Sequence, residues 1–235
     1  MSTKSVPVGQ ATTTPVAQAE RATIDVETYV DENGYVQNAG FVLKKIPALE
    51  KGSMDGPKAI VLHRTDSKTL ASPLQSFEKG IGTHFIVDKD GTVYQTASLL
   101  KKTHHVGKIK SRCYEGGACP ADEAKLIKSW GWAPTKVHDH EKVKDYPSRY
   151  PMNEDSVGIE VVADHDGSKW EAPTAEQSKS IRHVISVLKA EYGIQDSDIY
   201  EHDKISYKTS GEGEGLYSID AVGAASLVQP GKPVP

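Results

Sequence analysis

The chain has 235 residues, of which 37% are hydrophobic and 26% are charged, and its formal net charge is -4. This composition is typical of one globular domain with extensions, and no apolar run approaches the roughly 20 residues that cross a bilayer. The isoelectric point near 6.1 argues against a broad nucleic-acid-binding face, because such a face carries an excess of positive charge.

The first part of the chain is predicted to lie outside the main domain. Residues 1–22 are rich in Thr, Ala, Gln and Pro; they offer little to bury and therefore predict a flexible leader. They also lack the apolar run of a secretory signal peptide. Residues 23–56 are predicted to be an N-terminal extension, in which apolar and polar residues alternate around "DENG" and indicate a β-hairpin.

Short apolar runs predict the strands of the main domain, which we place at residues 57–230. The runs "KAIVLHRT" and "DIYEHD" each predict a strand that ends in a histidine, His63 in the first and His202 in the second. The run "GTHFIVDKDGTVYQTA" predicts a hairpin that turns at Asp90 and Gly91. The run "SVGIEVVAD" is apolar on both faces, as a central strand requires.

Helices are predicted between these strands. The segment "SKTLASPLQSFEKG" indicates a short helix and "PTAEQSKSIRHVISVLKAEYG" a long one. In the long helix Thr174 and Gln177 have capping-box spacing, and Gly193 is placed to end the helix. Elements in this order predict an α/β (α+β) fold, with a central mixed β-sheet flanked by helices.

A polar insertion at residues 108–153 is predicted on the working face of the domain. It contains a helix at "PADEAKLIKSWG" and aromatic residues that either contact substrate or pack the insertion down. Cys113 and Cys119, six residues apart in a Gly-containing loop, form either a disulfide in an oxidising compartment or two free thiols. His138 and His140 resemble metal ligands, but polar loops collect such residues, and we predict no second metal site.

Four residues of the main domain indicate a hydrolytic site. His63 and His202 end strands whose rims meet if the strands are neighbours in the sheet. Glu160 is a charged side chain in an apolar strand, where burial raises the pKa and suits a carboxyl group to proton transfer. Lys208 follows His202 by six residues. Taken singly, these residues read as hydrogen-bonded histidines, an edge salt bridge and a surface charge. Together they fit a hydrolytic zinc site, in which two imidazoles and one carboxylate hold the metal and water takes the fourth position.

Five motifs in order, "AIVLHRT", "THFIVDKDGTVYQ", "THHVG", "SVGIEVV" and "HDKISYK", resemble those of the N-acetylmuramoyl-L-alanine amidases. This zinc family includes phage lysozyme-type amidases and the peptidoglycan recognition proteins, and the resemblance covers roughly residues 57–225. It implies the family's mixed sheet flanked by helices, a Zn²⁺ cofactor, and peptidoglycan or muropeptides as binding partners. The implied reaction is hydrolysis of the amide between the lactyl group of N-acetylmuramic acid and the L-alanine of the stem peptide.

The resemblance implies a role for each matching residue. His63 and His202 match the first two zinc ligands. Glu160 falls where the cytosolic recycling branch has its catalytic acid/base, and Lys208 falls where phage-type enzymes have a lysine that stabilises the oxyanion. His105 in "HHVG" matches a histidine that lies against the substrate, although the family's preceding tryptophan is here a histidine.

The third zinc ligand is where the chain departs from the family pattern. Phage-type amidases have a cysteine two residues after the lysine, and here that position is Ser210. A serine there goes with lost catalysis in the recognition proteins, so the alternative function is a catalytically inactive peptidoglycan-binding module. Glu212 lies ten residues after His202, the interval at which recycling amidases carry an Asp ligand. We predict Glu212 as the ligand, whereas Glu214 fits neither interval.

The expected location follows from the absence of a recognisable secretory signal. Cytosolic recycling of muropeptides, phage lysis and contact-dependent delivery such as type VI secretion are the available routes. A flexible leader and a Cys113–Cys119 disulfide favour export. We therefore expect an antibacterial effector that acts in a target periplasm and whose producer makes an immunity protein; a cytoplasmic recycling enzyme is the alternative.

Overall fold

The structure is a computed structural model that describes residues 27–218. The strands of this part of the chain are β1 (Tyr29–Val30), β2 (Val36–Gln37), β3 (Val42–Leu43), β4 (Ala59–Arg64), β5 (Phe85–Val87), β6 (Val93–Gln95), β7 (Ser156–Val161) and β8 (Ile199–Glu201). Six of them form one mixed sheet in the order β3-β6-β5-β7-β4-β8, while β1 and β2 form a separate two-stranded ribbon. The sheet is the frame on which the candidate site is built.

The helices of the described residues differ widely in length. They are α1 (Ala71–Glu78), α2 (Arg112–Glu115), α3 (Ala121–Ser129), α4 (Pro134–Glu141), α5 (Ala175–Tyr192) and α6 (His202–Ile205), with short 3-10 turns at Pro47–Leu49 and Asp196–Asp198. Within residues 27–218, none of these helices has both the length and the apolar character that a membrane span requires.

Parallel pairing dominates the middle of the sheet. Strand β4 pairs in parallel with both β7 and β8, and β7 pairs in parallel with β5. Strands β5 and β6 form the predicted antiparallel hairpin, with Gly91 at a positive φ of 85° in its turn. Side chains of β4 are buried on both faces, as expected of a central strand covered by helices and loops. The predicted α/β fold with a central mixed sheet is confirmed.

Helix α5 covers one face of the sheet. Its capping box at Thr174 and Gln177 and its left-handed end at Gly193 are present as predicted. The apolar stripe of the helix packs into the largest hydrophobic cluster, against alternate residues of the central strands. The helix contributes Ile181, Val184, Ile185 and Leu188, and the strands contribute Ile60, Leu62, Phe85, Val87, Val157, Ile159 and Val161.

The opposite face of the sheet carries the candidate site. Because side chains alternate between the faces of a strand, His63 lies on the same face as Val61, away from α5. A second apolar cluster around Phe77 and Ile86 covers part of this face. A third cluster, which contains Val61, Val106 and Ile205, covers another part.

Several local features differ from the sequence-based expectations. The last strand ends at Glu201, and His202 begins α6 instead of ending the strand. The extension does contain the predicted antiparallel hairpin, but it also adds β3 to the edge of the main sheet. The insertion holds α2 and α4 besides the predicted helix α3. These additions are short, so they leave little periodic signal in the sequence.

The two cysteines of the insertion are close enough in the structure to be bonded. Cys113 and Cys119 form a disulfide, one of the two states that the sequence left open. The predicted leader at residues 1–22 and the end of the predicted domain after residue 218 lie outside the described residues. The division into leader, extension, amidase domain and insertion stays a prediction.

Candidate metal centre and active site

The register of the central strands brings three predicted site residues to one end of the sheet. His63 in β4 is the direct partner of Glu160 in β7. On the other side of β4, Leu62 is the partner of Glu201, so His202 follows at the level of His63. Directly opposed residues on paired strands point to the same face. The sheet therefore sets His63 between Glu160 and His202.

Glu212 joins the two histidines from the loop that follows α6. One carboxylate oxygen, Oε1, lies 2.7 Å from Nδ1 of His202 and 3.5 Å from Nδ1 of His63. One donor atom from each of the three residues lies within 4.8 Å of the others. Of the other two candidates for the third ligand, both Ser210 and Glu214 are exposed. The structure thus groups Glu212 with the histidines.

The hydrogen bond made by Nε2 of His202 determines which of its two ring nitrogens carries a lone pair. Nε2 of His202 lies 2.8 Å from the carbonyl oxygen of Val106. A carbonyl accepts only, so Nε2 must donate, and in the neutral ring Nδ1 then carries a lone pair. This lone pair points toward the Glu212 carboxylate. Metal-binding histidines are commonly oriented by such a bond through their second nitrogen.

A second chain of hydrogen bonds determines which ring nitrogen of His63 carries a lone pair. Nε2 of His105 lies 3.3 Å from the carbonyl oxygen of Ser156, so it donates and leaves Nδ1 as an acceptor. That Nδ1 lies 3.1 Å from Nε2 of His63, which must therefore donate. The free lone pair of His63 is then on Nδ1, the atom nearest to Glu212.

The donor set at this centre fits a divalent cation. Two imidazole lone pairs and a carboxylate converge in a buried place, where they repel one another unless a proton or a cation lies between them. Burial, and then the nearby His202, lower the pKa of His63 to about 3, so a proton is disfavoured on that ring. Burial alone would raise the pKa of Glu212, whereas donated hydrogen bonds and positive charge on the side of His202 and His63 lower it. With neutral rings that face the carboxylate through lone pairs, a bound cation would supply this charge. Neutral imidazoles with a carboxylate suit Zn²⁺.

Glu160 and Lys208 carry charge next to this centre. Burial, followed by the negative charge of Glu212, raises the pKa of Glu160 to about 8, and Lys208 partly opposes the rise. The positive charge of Lys208 also contributes to the lowered pKa of His63. Lys208 itself is exposed. A carboxyl group that titrates near neutrality and a solvent-facing ammonium therefore border the candidate metal centre.

His105 lies behind His63 and is only 8% exposed. Its ring contacts the sheet over Gly158, where an added Cβ atom would lie 2.8 Å from Nδ1 of His105. The side-chain oxygen of Asn153 accepts hydrogen bonds from the backbone amides of His105 and Val106. The structure thus shows His105 as a hydrogen-bond partner of His63, and its contact with substrate stays a prediction.

Two buried charges that sequence analysis did not single out hold the loop that contains Glu212. Arg64 donates to the carbonyl oxygens of Gly211 and Glu212. Asp203 accepts from the backbone amides of Gly211 and Gly213. The sequence could have indicated Arg64, because it is a charged residue at the end of an apolar strand, much as Glu160 is. Asp203 follows a predicted ligand directly but belongs to a polar stretch, where a carboxylate is unremarkable.

A second group of potential metal ligands lies in the insertion. Donor atoms of Glu123, His140 and Glu141 come within 4.8 Å of one another. The ammonium group of Lys144 contacts both carboxylates, at 2.5 Å from Glu123 and 2.6 Å from Glu141. Since a lysine already supplies positive charge there, this group forms a partly buried ion-pair network. The absence of a second metal site stays a prediction.

The insertion reaches the edge of the candidate site. Trp132 is 83% exposed, and its ring stands edge-on to Tyr207 with 5.3 Å between the ring centroids. Tyr207 directly precedes Lys208 in the chain. Lys108 links the same region, since its ammonium donates to Thr135 in α4. An exposed indole is therefore held next to the segment that carries the predicted oxyanion-binding lysine.

A buried pair of histidines with a carboxylate, next to a carboxyl group of raised pKa, defines a site typical of metal-dependent hydrolases. The family model for N-acetylmuramoyl-L-alanine amidase matches residues 53–214. The chain belongs to this family, and by class it is an amidase that acts on peptidoglycan. No curated protein sequence matches the chain.

Solved structures are also similar to this chain. A selenomethionine derivative of AmpD has a TM-score of 0.52 at 14% identity, over 82% of this chain and 97% of that chain. The endolysin amidase LysCS from Clostridium intestinale URNW has a TM-score of 0.45 at 16% identity, over 80% and 96%. The catalytic domain of XlyA has a TM-score of 0.44 at 20% identity, over 72% and 87%. The likeness to the AmpD derivative shows the fold.

Proposed function

We propose that this chain is a zinc-dependent peptidoglycan amidase. It hydrolyses the amide bond between the lactyl group of N-acetylmuramic acid and the L-alanine of the stem peptide. The observation that carries the proposal is the grouping of His63, His202 and Glu212 within 4.8 Å, in a chain that belongs to the amidase family. Two imidazoles and one carboxylate leave room for a water or substrate at the metal, the usual arrangement of hydrolytic zinc sites.

The chain's own residues supply the proton transfers and hold charge. His63, His202 and Glu212 would hold a zinc ion, which would supply Lewis acidity toward the scissile carbonyl and water. Glu160 accepts the proton of the attacking water and passes it to the leaving nitrogen of L-alanine, a role that suits a pKa of about 8. The Lys208 ammonium stabilises the negative charge that develops on the carbonyl oxygen. His105 holds the ring of His63 in orientation through their hydrogen bond.

The same arrangement favours an enzyme over an inactive peptidoglycan-binding module. The module hypothesis rested on Ser210, which stands where a thiolate ligand would be. Ser210 is exposed, and its carbonyl oxygen accepts a hydrogen bond from the indole of Trp170. Glu212 lies against both histidines instead, which supports Glu212 as the third ligand in place of Ser210.

Digestion of intact sacculi separates these two functions. The purified protein is incubated with sacculi, with and without a chelator, and the soluble products are identified by mass spectrometry. We expect stem peptides with a free L-alanine amino terminus, released only while metal is present. Binding to sacculi without any release of peptide would instead support the module. The variant Glu160→Gln is expected to keep its zinc and lose at least about 100-fold in rate, the usual share of general acid–base catalysis.

We further propose that the protein is an antibacterial effector that reaches the periplasm of a target cell by a signal-independent route. The Cys113–Cys119 disulfide supports this proposal, since such bonds persist in oxidising compartments. The producing cell then needs an immunity protein that binds this chain. The test directs the protein to the periplasm of a sensitive host, where lysis is expected, and compares it with the same protein kept in the cytoplasm. Turnover of soluble anhydro-muropeptides alone, without lysis, would support cytoplasmic recycling.

A further inference from the structure

Glu212 is presented by a loop that has little conformational preference of its own. The loop reads "SGEGEG", with glycine on both sides of Glu212. Gly211 has a positive φ of 79°, a region that other residues rarely adopt. At Gly213 an added Cβ atom would lie 2.6 Å from the Cα atom of Glu201. Both glycines are therefore needed for this path of the chain. Glycine also loses more conformational entropy on ordering than any other residue, so a ligand held here requires fixing from outside.

Two buried, oppositely charged side chains hold this loop in place. Nη1 of Arg64 donates to the carbonyl oxygens of Gly211 and Glu212, each at 3.0 Å. The carboxylate of Asp203 accepts from the amide of Gly211 at 2.9 Å and from the amide of Gly213 at 3.2 Å. Arg64 thus binds the peptide groups on both sides of Glu212 through their carbonyl oxygens. Asp203 binds the amide of the peptide group that follows Glu212, and the amide of Gly211 before it.

Burial makes these contacts strong. Arg64 is 6% exposed and Asp203 is 5% exposed. Hydrogen bonds in which one partner is ionised are stronger than neutral ones, and they are stronger still out of water. Each charge also lies next to a predicted zinc ligand in the chain, since Arg64 follows His63 and Asp203 follows His202. The same two segments that provide the histidines therefore also set the position of the third ligand.

We propose that Arg64 and Asp203 are positioning residues, which hold the Glu212 loop so that its carboxylate meets the two histidines. The pair determines how tightly the site binds zinc, and neither residue touches the substrate or the reacting atoms. This inference rests on the proposed zinc site at His63, His202 and Glu212. It explains how the chain can bind zinc although Ser210 stands in the thiolate position. The third ligand is instead Glu212, on a glycine-rich loop that Arg64 and Asp203 hold in place.

Zinc affinity, measured by competition against a chromophoric chelator, tests the proposal independently of turnover. The conservative variants Asp203→Asn and Arg64→Lys are expected to bind zinc about 10- to 100-fold more weakly, the usual effect of losing a group that orients a metal ligand. The matched control is Glu201→Gln. Glu201 accepts a hydrogen bond from the backbone amide of Gly215, which follows Glu212 by three residues in the same loop. Its replacement is therefore expected to leave zinc affinity unchanged.

A double-mutant cycle distinguishes positioning from general loss of structure. If Asp203 acts through Glu212, then Asp203→Asn has no further effect on zinc affinity in a Glu212→Gln background. An equal loss in both backgrounds would overturn the proposal, as would unchanged zinc affinity in folded Asp203→Asn and Arg64→Lys. Thermal unfolding of the metal-free proteins shows whether each variant is folded. If one of the two variants does not fold, the zinc affinity of the other decides the proposal.

Failure of this inference can be told from failure of the proposed function. If the wild-type protein binds zinc but releases no stem peptide from sacculi, the proposed activity is wrong while the affinity measurements still decide the role of Arg64 and Asp203. If the wild type releases stem peptides and the variants bind zinc as tightly as it does, the positioning role is wrong and the activity stands.

Discussion

Among single residues, Glu160 shows a conflict between stability and chemistry. Glu160 is half-buried in β7. Desolvation, followed by the negative charge of Glu212, raises the pKa of its carboxyl group from 4.5 to about 8 in the folded protein. A raised carboxyl pKa means that the folded state binds a proton more tightly than the unfolded state does. The resulting stability is present below pH 4.5 and is lost as the pH rises toward 8. A residue that is costly when ionised but useful for proton transfer is typical of an active site.

The variant Glu160→Gln tests this conflict in the metal-free protein. Because glutamine does not ionise, the variant is expected to gain stability relative to the wild type as the pH rises from 5 to 9. At pH 9 the gain should exceed about 1.4 kcal/mol, the worth of one pKa unit. Denaturant unfolding at the two pH values measures it. A difference between the two proteins that does not change with pH would show that Glu160 ionises normally.

Some site residues can be predicted from the sequence and others cannot. His63 and Glu160 lie in apolar strands and His202 directly follows a strand, and each stands out in the sequence as a polar residue beside an apolar run. The choice of Glu212 depended on the spacing of known amidases, and the structure groups it with the histidines. Arg64 stands out in the same way, as a charge at the end of an apolar strand, but its partners lie about 150 residues away and its role cannot be read locally. Asp203 belongs to a polar stretch, so no local pattern marks it.

At the level of elements, the strands and the long helix follow from local rules, whereas the insertion does not. Helix α5 has its capping box and apolar stripe, and the β5–β6 hairpin has its Asp-Gly turn, so both are specified by neighbouring residues. Helices α2 and α4 are short and have few buried residues. Helix α4 is bound by the ammonium of Lys108 and the backbone amide of Ile109, and Arg112 of α2 donates to the carbonyl oxygen of Pro147. A local reading of the sequence contains none of these contacts.

The insertion also leads to a prediction about substrate binding. Trp132 is exposed next to Tyr207, and an aromatic ring held in this way can stack on a sugar of the glycan strand. We expect Trp132→Ala to raise the KM for sacculi severalfold and to leave kcat and zinc affinity unchanged, because it removes binding that substrate and transition state share.

The matched control for Trp132 is Val143→Ala. Val143 is 78% exposed in the same insertion and lies in the turn after α4, so it is a second exposed apolar side chain for comparison. Steady-state turnover of labelled sacculi measures both variants. Equal KM values for Trp132→Ala and the wild type would place the substrate elsewhere.

For the whole molecule, metal binding and folding are coupled. The three proposed ligands come from β4, from the start of α6 and from the loop after α6, so they meet only in the folded chain. A ligand that binds the folded state alone stabilises it by about 2.7 kcal/mol at about 100 times its Kd. For a protein of this size we expect removal of zinc to lower the Tm by roughly 5 to 10 °C.

Thermal unfolding with zinc and with a chelator measures this coupling. The variant Glu212→Gln should show little response to zinc, while Glu214→Gln, which changes an exposed acid two residues away, should respond as the wild type does. A Tm that is independent of zinc in the wild type would contradict a structural link between the metal site and the fold.

The central claim is that Glu212 completes a metal site on which amidase activity depends. The measurement that tests it most directly is mass spectrometry of the soluble products that Glu212→Gln and Glu214→Gln release from sacculi under identical conditions. The account predicts that Glu214→Gln releases stem peptides with a free L-alanine amino terminus at the wild-type rate and that Glu212→Gln releases almost none. Equal release by the two variants would contradict it.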